Sequence, residues 1–564
     1  MRFHLGAFEE RVCRRVAELA ATDAASRIWR RDSNLWSDDV AAREVIANRL
    51  GWLDAPETMR AHVGEIEGFA QRLRRHEFTD IVLLGMGGSS LAPEVLRTSV
   101  LGAHGAPRLR VLDTTVPATI AATEACIDPR TTLFVVSSKS GTTIEALTLY
   151  DWAWSLTSTV VQDRVREHFV AITDAGSPLE ALARERAFAH IFLNPPDIGG
   201  RYSALSYFGL APAAAAGIDV GRLLDAAAGA AQATRSTESS ALRLGAALGE
   251  LALAGRNKLT FLLTPGAASF GLWVEQLLAE SLGKDGRGIV PVVGEPLGSP
   301  RVYGDDRVFL YLRLEGDSAG EMDAVVGALA AEGHPILTVD LDTTYDFGRE
   351  FFRWEFAVAV VGHVLGVNPF DEPNVRESKD NTSRALADLE RTHDPAGDGF
   401  DDVGPNAIRA CGPATGLVDR VAELLGSIRP HDYFATLAYL AQDAVTDAAF
   451  AEMRGDVREA CRVATTVGYG PRYLHSTGQL HKGGPEQGVF LFVTAGVRHD
   501  VSIAGRRYSF GQLNRAQAIG DFQALAGRGR RALWVHLGRD VADGLEQLRQ
   551  AIAKAAGTAS PRRR

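Results

Sequence analysis

Cysteine is scarce in this chain of 564 residues. The four present, Cys13, Cys126, Cys411 and Cys461, are too few and too scattered for a disulfide framework, and no pair has metal-ligand spacing. A long hydrophobic run is missing too. The most apolar stretch, Phe351 to Val367, contains Arg353 and Glu355 and is shorter than a typical membrane span. The opening MRFHLGAFEERV has neither the basic nor the apolar region of a secretion signal. Basic clusters are absent except for the terminal Pro561-Arg562-Arg563-Arg564, which reads as a solvated tail. With a net charge of −10, the chain lacks the clustered Lys and Arg that non-specific nucleic-acid binding needs. These absences predict a soluble, cytoplasmic protein with no membrane or nucleic-acid partner.

What is present is ordinary globular composition, 46% hydrophobic and 23% charged. At roughly 150 residues per domain, the length suggests three or four units. Residues 1 to 75 read as helices anchored by Trp29, Leu35 and Trp36, with no chemistry evident. Short apolar strands then alternate with helical patterns: IVLLG ending at Gly85, RLRVLD (108–113), TLFVVSS (132–138), HFVAITD (168–174) and HIFLN (190–194). After two Ala- and Leu-rich helices (220–255), the alternation resumes with LTFLLT (259–264), IVPVV (289–293), RVFLYLRL (307–314) and PILTVDL (335–341). Continuous apolar strands between helices indicate βαβ units on doubly wound parallel sheets. HDPAGDGFDDVGP (393–405) reads as a linker. Beyond it, RPHDYFATLAYLAQ (429–442) reads as a helix, residues 462–484 as a strand running into a loop, GVFLFVT and RALWVHL as strands, and 511–527 as a helix.

Two loops could hold a phosphate. GMGGSS (85–90) and SSKSGTT (137–143) each follow a buried strand and open a helix. Glycine lets a ligand approach the backbone N–H groups at a helix N-terminus, and ligands of open α/β sheets sit at the carboxyl ends of the strands. Ser138, Ser140, Thr142 and Thr143 would add hydroxyl donors, with Ser89 from the neighbouring strand end. Either loop alone is equally a turn capped by Ser and Thr. Neither matches a Walker A or a dinucleotide fingerprint, so the pair suggests a phosphate rather than a nucleotide.

The stretch SFGLWVEQLLAESLGK (269–284) supplies a candidate base. Gln276 and Glu280, four apart, project from one side of a helix. Taken alone, Glu280 is equally a surface carboxylate paired with Lys284. GGRYS (199–203) places Arg201 after two glycines, where it could face a developing anion or simply be solvated.

Together these residues resemble the glucose-6-phosphate isomerase family, built on two sugar-isomerase domains. The matching pieces are GMGGSS, SSKSGTTIE, GGRYS, EQLLAESLGK, NPFDEPNVRESK and LHSTGQLHKGG, spread over residues 80–484. With RIWRRDSNLW and the long C-terminal extension, the chain looks most like the isomerase half of fused transaldolase–isomerase proteins. No transaldolase-like (β/α)₈ unit is legible in it. The resemblance implies two doubly wound α/β sugar-isomerase-type domains (76–218 and 219–392), a helical N-terminal segment (1–75) and an α/β C-terminal extension (406–564). It implies interconversion of D-glucose 6-phosphate and D-fructose 6-phosphate through an enediolate. A relaxed pocket taking mannose 6-phosphate and a non-catalytic sugar-phosphate-binding protein are the alternatives.

Carried over position by position, the resemblance assigns the phosphate to Ser138, Ser140 and Thr143, with Ser89, Lys139 and Gly200 beside the sugar. Glu280 matches the base, Gln276 a binding residue and Arg201 the residue that stabilises the enediolate. Lys379 falls on the family's lysine, and His475 on the ring-opening histidine, with His481 its rival. Glu372 stands where many relatives have Gln, and Gly141 where many have an aromatic residue. In typical members the histidine lies between the base and the lysine, whereas His475 follows Lys379 by nearly a hundred residues. The family's histidine commonly comes from the partner subunit, so a homodimer is within the expectation. No step calls for a cofactor or a metal.

Overall fold

The computed structural model describes residues 1–76, 78–392, 409–410 and 416–558, with the backbone alone for 375–376, 378–379, 388–392 and 409–410. The 393–405 linker, Cys411 and the 561–564 tail lie outside the described residues, as does the Lys379 side chain.

Among the described residues, fifteen strands form three sheets of five. In chain order they are β1 (Arg2–His4), β2 (Asp80–Gly85), β3 (Arg108–Leu112), β4 (Thr132–Ser137), β5 (Phe169–Asp174) and β6 (His190–Asn194). Then follow β7 (Lys258–Leu263), β8 (Val290–Val292), β9 (Arg307–Leu314) and β10 (Ile336–Leu341). The last are β11 (Arg409–Ala410), β12 (Tyr433–Tyr439), β13 (Ala464–Tyr469), β14 (Gly488–Ala495) and β15 (Arg531–Leu537). The sheet orders are β3-β2-β4-β5-β6, β8-β7-β9-β10-β1 and β13-β12-β14-β15-β11. Numbered within each unit, all three run 2-1-3-4 with parallel pairing, so each has a switch point beside its first strand. Only the fifth strand differs: β6 is parallel, whereas β1 and β11 add antiparallel edges.

Strands such as β4 and β12 are buried along their whole length because helices cover both faces. The N-terminal helices, one face of the first sheet and one face of the second share a single apolar core; it runs from Val12 and Trp52 through Leu83 and Val135 to Leu310 and Phe351. The third sheet packs one face on its own helices. Its other face meets Ala279, Val290 and Val292 of the second unit. Its helix Phe510–Gly527 crosses to the first unit, where Phe510, Leu513 and Ala516 pack with Leu112, Ile120 and Leu149.

A buried polar network fixes that docking. Arg307 and Glu295, both nearly inaccessible, form a two-pronged pair at 2.9 and 3.0 Å, and Glu295 also accepts from the Thr465 backbone and hydroxyl at 2.8 Å. Arg454 donates to the carbonyls of Val293 and Gly294.

Two readings of local structure are corrected. Residues 429–442 hold not a helix but β12: the run Tyr-Phe-Ala-Thr-Leu-Ala-Tyr is buried on both faces, a site for a central strand that a short apolar run does not distinguish from a buried helix. The N-terminal segment is not purely helical either. It begins with β1, which pairs Phe3 with Leu337 and closes the exposed edge of β10. Among the described residues, no helix is long and apolar enough to cross a membrane.

Candidate functional site

The helix Phe270–Leu282 is buried on nearly every side, between the first unit, the helix Phe347–Leu365 and the third unit. Its burial is what turns Gln276 and Glu280 from surface residues into the wall of a cleft. That cleft, about 470 Å³, lies at the carboxyl edge of the first sheet. Ser89, Lys139, Ser140, Thr143, Gly200, Arg201, Gln276, Glu280, Glu372 and His475 all line it. Ser138 does not. Its hydroxyl sits inside the loop, 3.0 Å from that of Thr143, and accepts the Gly141 N–H at 3.2 Å. Lys379 lies on the helix Val375–Thr392.

Two of the sequence's glycine pairs, Gly87-Gly88 and Gly199-Gly200, meet here. A Cβ on Gly88 would stand 2.0 Å from the Gly200 carbonyl oxygen, so the first turn could not approach the second with a side chain at Gly88. Gly87, at φ +54°, lies under Gln276 and His475, where a Cβ would come within 2.8 Å of both.

Arg201 is a fixed cation. Its side chain is 5% exposed and donates to Ser281 Oγ (2.8 Å), Glu372 Oε2 (3.0 Å) and the carbonyls of Pro369 and Asp371 (both 2.9 Å), with Glu280 Oε1 at 3.4 Å. Burial opposes its charge, but Glu280 and Glu372 outweigh burial and keep it protonated. Burial raises the Glu280 carboxyl above the ordinary range despite the pull of Arg201. Burial also acts on Glu372, but there the guanidinium prevails and the carboxyl is held low. The two carboxylates thus share one arginine and differ in basicity.

Gln276 Nε2 donates to Glu280 Oε2 (3.1 Å) and to the His475 carbonyl (2.8 Å), while its Oε1 is buried without a partner among the described residues. That oxygen is an open acceptor for a ligand hydroxyl. Lys284, the alternative partner for Glu280, turns away to Asp371 Oδ1 (2.6 Å) and the Asn368 carbonyl (2.8 Å). Lys139 pairs with Asp174 and donates to the Pro196 carbonyl at 3.0 Å.

The two histidines part company. His475, in the short turn Arg472–His475 after β13, reaches the cleft with its Nε2 3.1 Å from Glu145 Oε1. His481 is buried beneath the third sheet with Nδ1 2.9 Å from the Tyr433 hydroxyl, and burial lowers it to about 3. Asn48, Arg49 and Asp174 of the cleft lining escaped sequence reasoning, as did Glu145, which lines an adjoining cavity sharing Ser140, Thr143 and His475. Glu145 was legible as part of SSKSGTTIE but was given no role, and Asn48 and Arg49 come from the segment read as purely structural. Among the described residues, no group of His, Cys, Asp and Glu is placed to hold a metal ion.

Residues 40–255 match the family model described as phosphoglucose isomerase. The glucose-6-phosphate isomerase of Rubrobacter xylanophilus is 31% identical over 382 residues, which is 58% of this chain and 87% of that protein. The chain belongs to the phosphoglucose isomerase family. The glucose-6-phosphate isomerase of Carboxydothermus hydrogenoformans is likewise 31% identical, over 60% of this chain and 85% of its own length. Among solved structures, a hypothetical protein of Thermus thermophilus superposes with a TM-score of 0.58 at 26% identity, over 68% of this chain and 99% of that one. The glucose-6-phosphate isomerase of Chlamydia trachomatis shares the fold, with a TM-score of 0.50 at 21% identity over 65% of this chain and 78% of its own.

Proposed function

We infer that this chain is an aldose–ketose isomerase that interconverts D-glucose 6-phosphate and D-fructose 6-phosphate, a step of glycolysis and gluconeogenesis. The observation that carries the reading is convergence. A largely buried carboxylate of raised basicity (Glu280), a fixed guanidinium (Arg201), an amide oxygen without a partner among the described residues (Gln276) and an imidazole (His475) face one cleft beside a hydroxyl-rich strand–helix loop.

The roles follow from the chemistry. Moving a proton between the first two carbons of a sugar phosphate needs a base strong enough to take a weakly acidic proton next to a carbonyl. Glu280, raised by burial toward working pH, suits that task. The enediolate is anionic, and Arg201, already oriented, stabilises it more than the neutral carbonyl that precedes it. Ser140, Thr143 and Ser89 with the cations Lys139 and Arg49 would hold the phosphate end, with Ser138 bracing the loop from behind. His475, with Lys379 from the helix that follows Glu372, would open the cyclic substrate by delivering a proton to the ring oxygen. Glu280, Arg201, Gln276 and His475 all reach the cleft from one chain, so these four groups need no second subunit to meet, and a homodimer stays compatible with the reading. A cytoplasmic setting without membrane or nucleic-acid partners belongs to the same reading.

The test is turnover of glucose 6-phosphate followed by a coupled assay, together with exchange of the substrate C2 proton with solvent. Binding of fructose 6-phosphate without turnover or exchange would reject the isomerase reading.

A further inference from the structure

The imidazole of His475 ends a line of hydrogen bonds that runs back into the third unit. Glu145 Oε1, 3.1 Å from His475 Nε2, also accepts from Gln517 Nε2 at 2.7 Å. Gln517 Oε1 in turn accepts from the Thr115 hydroxyl at 2.7 Å, and that hydroxyl oxygen accepts from Asn514 Nδ2 at 3.2 Å. Donor chemistry fixes the direction of the line. A carboxylate only accepts, so the amide must turn its N–H to Glu145 and its carbonyl to Thr115. Asn514 donates from behind, which leaves the single hydroxyl proton of Thr115 for Gln517. Gln517, Thr115 and Glu145 are all buried. Gln517 and Asn514 stand on the helix Phe510–Gly527, whose Leu513 and Ala516 are locked into the apolar core of the first unit, so the amide has no room to swing aside.

We propose that Gln517 is a positioning residue for His475. It holds the Glu145 carboxylate so that Oε1 receives the Nε2–H of His475, which fixes the ring in the tautomer whose Nδ1 exchanges a proton with substrate. When Nδ1 is protonated, the same carboxylate stabilises the imidazolium. The inference rests on the reading of His475 as the ring-opening group. It gives the third unit a second part in the reaction, in which that unit supplies both the imidazole and the amide that aligns its partner.

The test measures kcat and KM against pH for the full-length chain, His475→Asn, Gln517→Leu and Gln517→Glu. Loss of one aligning hydrogen bond should lower kcat of Gln517→Leu about tenfold with KM within about twofold. Gln517→Glu discriminates further. At acidic pH the introduced acid is protonated and donates to Glu145 as the amide did, so activity approaches that of the unmodified enzyme. As pH rises it ionises against Glu145, and activity falls along a limb the unmodified enzyme lacks. If Gln517→Leu does not fold, Thr115→Val, which frees the amide, carries the same expectation, and Thr115→Ser should restore activity. An unchanged kcat in Gln517→Leu beside an impaired His475→Asn overturns the proposal, as does a Gln517→Glu profile parallel to the original. Full activity in His475→Asn overturns the ring-opening reading itself, and the proposal with it.

Discussion

In the first sheet, the loops after β2 and β4 carry Gly87, Gly88, Ser89, Ser140 and Thr143 to the rim of the cleft. In the third sheet, whose first four strands run in the same order, the loop after β12 is Leu440-Ala441-Gln442-Asp443, and the rim between β12 and β14 opens on a separate cleft of about 530 Å³. That second cleft is lined largely by apolar side chains such as Leu440, Val445, Val497 and Leu545. The strand order is shared and the loops are not, so chemistry follows loop sequence rather than topology. What the third unit brings to the reaction comes from elsewhere on its frame: His475 after β13 and the helix that carries Gln517.

This contrast fails if the chemistry turns out to belong to both rims. The largest expected effect is therefore at Glu280. Glu280→Gln keeps the shape of the side chain and removes the base, so kcat should fall about 10³- to 10⁴-fold while fructose 6-phosphate still binds. Val445→Ser and Val497→Ser in the apolar cleft should leave kcat within about twofold. Steady-state kinetics and calorimetry on the same preparations read both arms. A Glu280→Gln enzyme that turns over normally, or a Val497→Ser enzyme that does not, would erase the distinction.

The next effect concerns how the third unit is held. Removing one partner of a buried ion pair strands the other, at a cost of about 3–5 kcal/mol. Arg307→Met should therefore lower stability on that scale, seen as an earlier denaturation midpoint. Because Glu295 also anchors the Thr465 backbone in β13, activity should be lost along with the docking of His475. If the melting temperature falls while kcat holds below the transition, the third unit does not position the site.

A smaller change is expected at the phosphate loop. Ser140→Ala or Thr143→Ala removes one neutral donor, so KM should rise about three- to tenfold with kcat nearly unchanged. An effect confined to kcat would place these hydroxyls at the reacting carbons instead.

How far the sequence could be read also differs between the units. The strands of the first sheet are short apolar runs ended by Gly, Ser, Asp or Asn, and all five were legible along with both loops. In the third unit, β12 is as apolar but carries alanine and leucine between its aromatics, and periodicity alone did not separate strand from helix there. The cleft was legible where its residues sit in compact motifs: Ser140, Arg201, Glu280 and His475 were each visible in their own stretch. Arg49, Glu145 and Gln517 were not assigned roles, because their meaning arises from contacts between distant segments. Gln517 reaches Glu145 across 372 positions. Nothing local to an Ala- and Gln-rich helix announces such a contact.

The last expectation sets two carboxylates of the second unit against each other. Glu280 lies partly buried beside Arg201, whereas Glu355, on the helix Phe347–Leu365, has both oxygens buried with no hydrogen-bond partner among the described residues. Burial alone pushes the Glu355 carboxyl well above its ordinary value, so the folded protein keeps that proton after an unfolded chain, titrating near about 4.3, has released it. The sign follows from linkage. The folded state binds more protons over that window, so the contribution of Glu355 is fully present below the unfolded value and is lost as pH rises toward the folded one. Glu355→Gln cannot titrate. Its stability should fall less steeply between mildly acidic and mildly alkaline pH, by up to about 1.4 kcal/mol per pH unit, because a single proton is involved. Denaturant midpoints measured across that range decide it. Parallel curves for the two proteins would mean that Glu355 finds a partner that keeps it ionised, as Arg201 does for Glu372, rather than standing as a buried neutral acid.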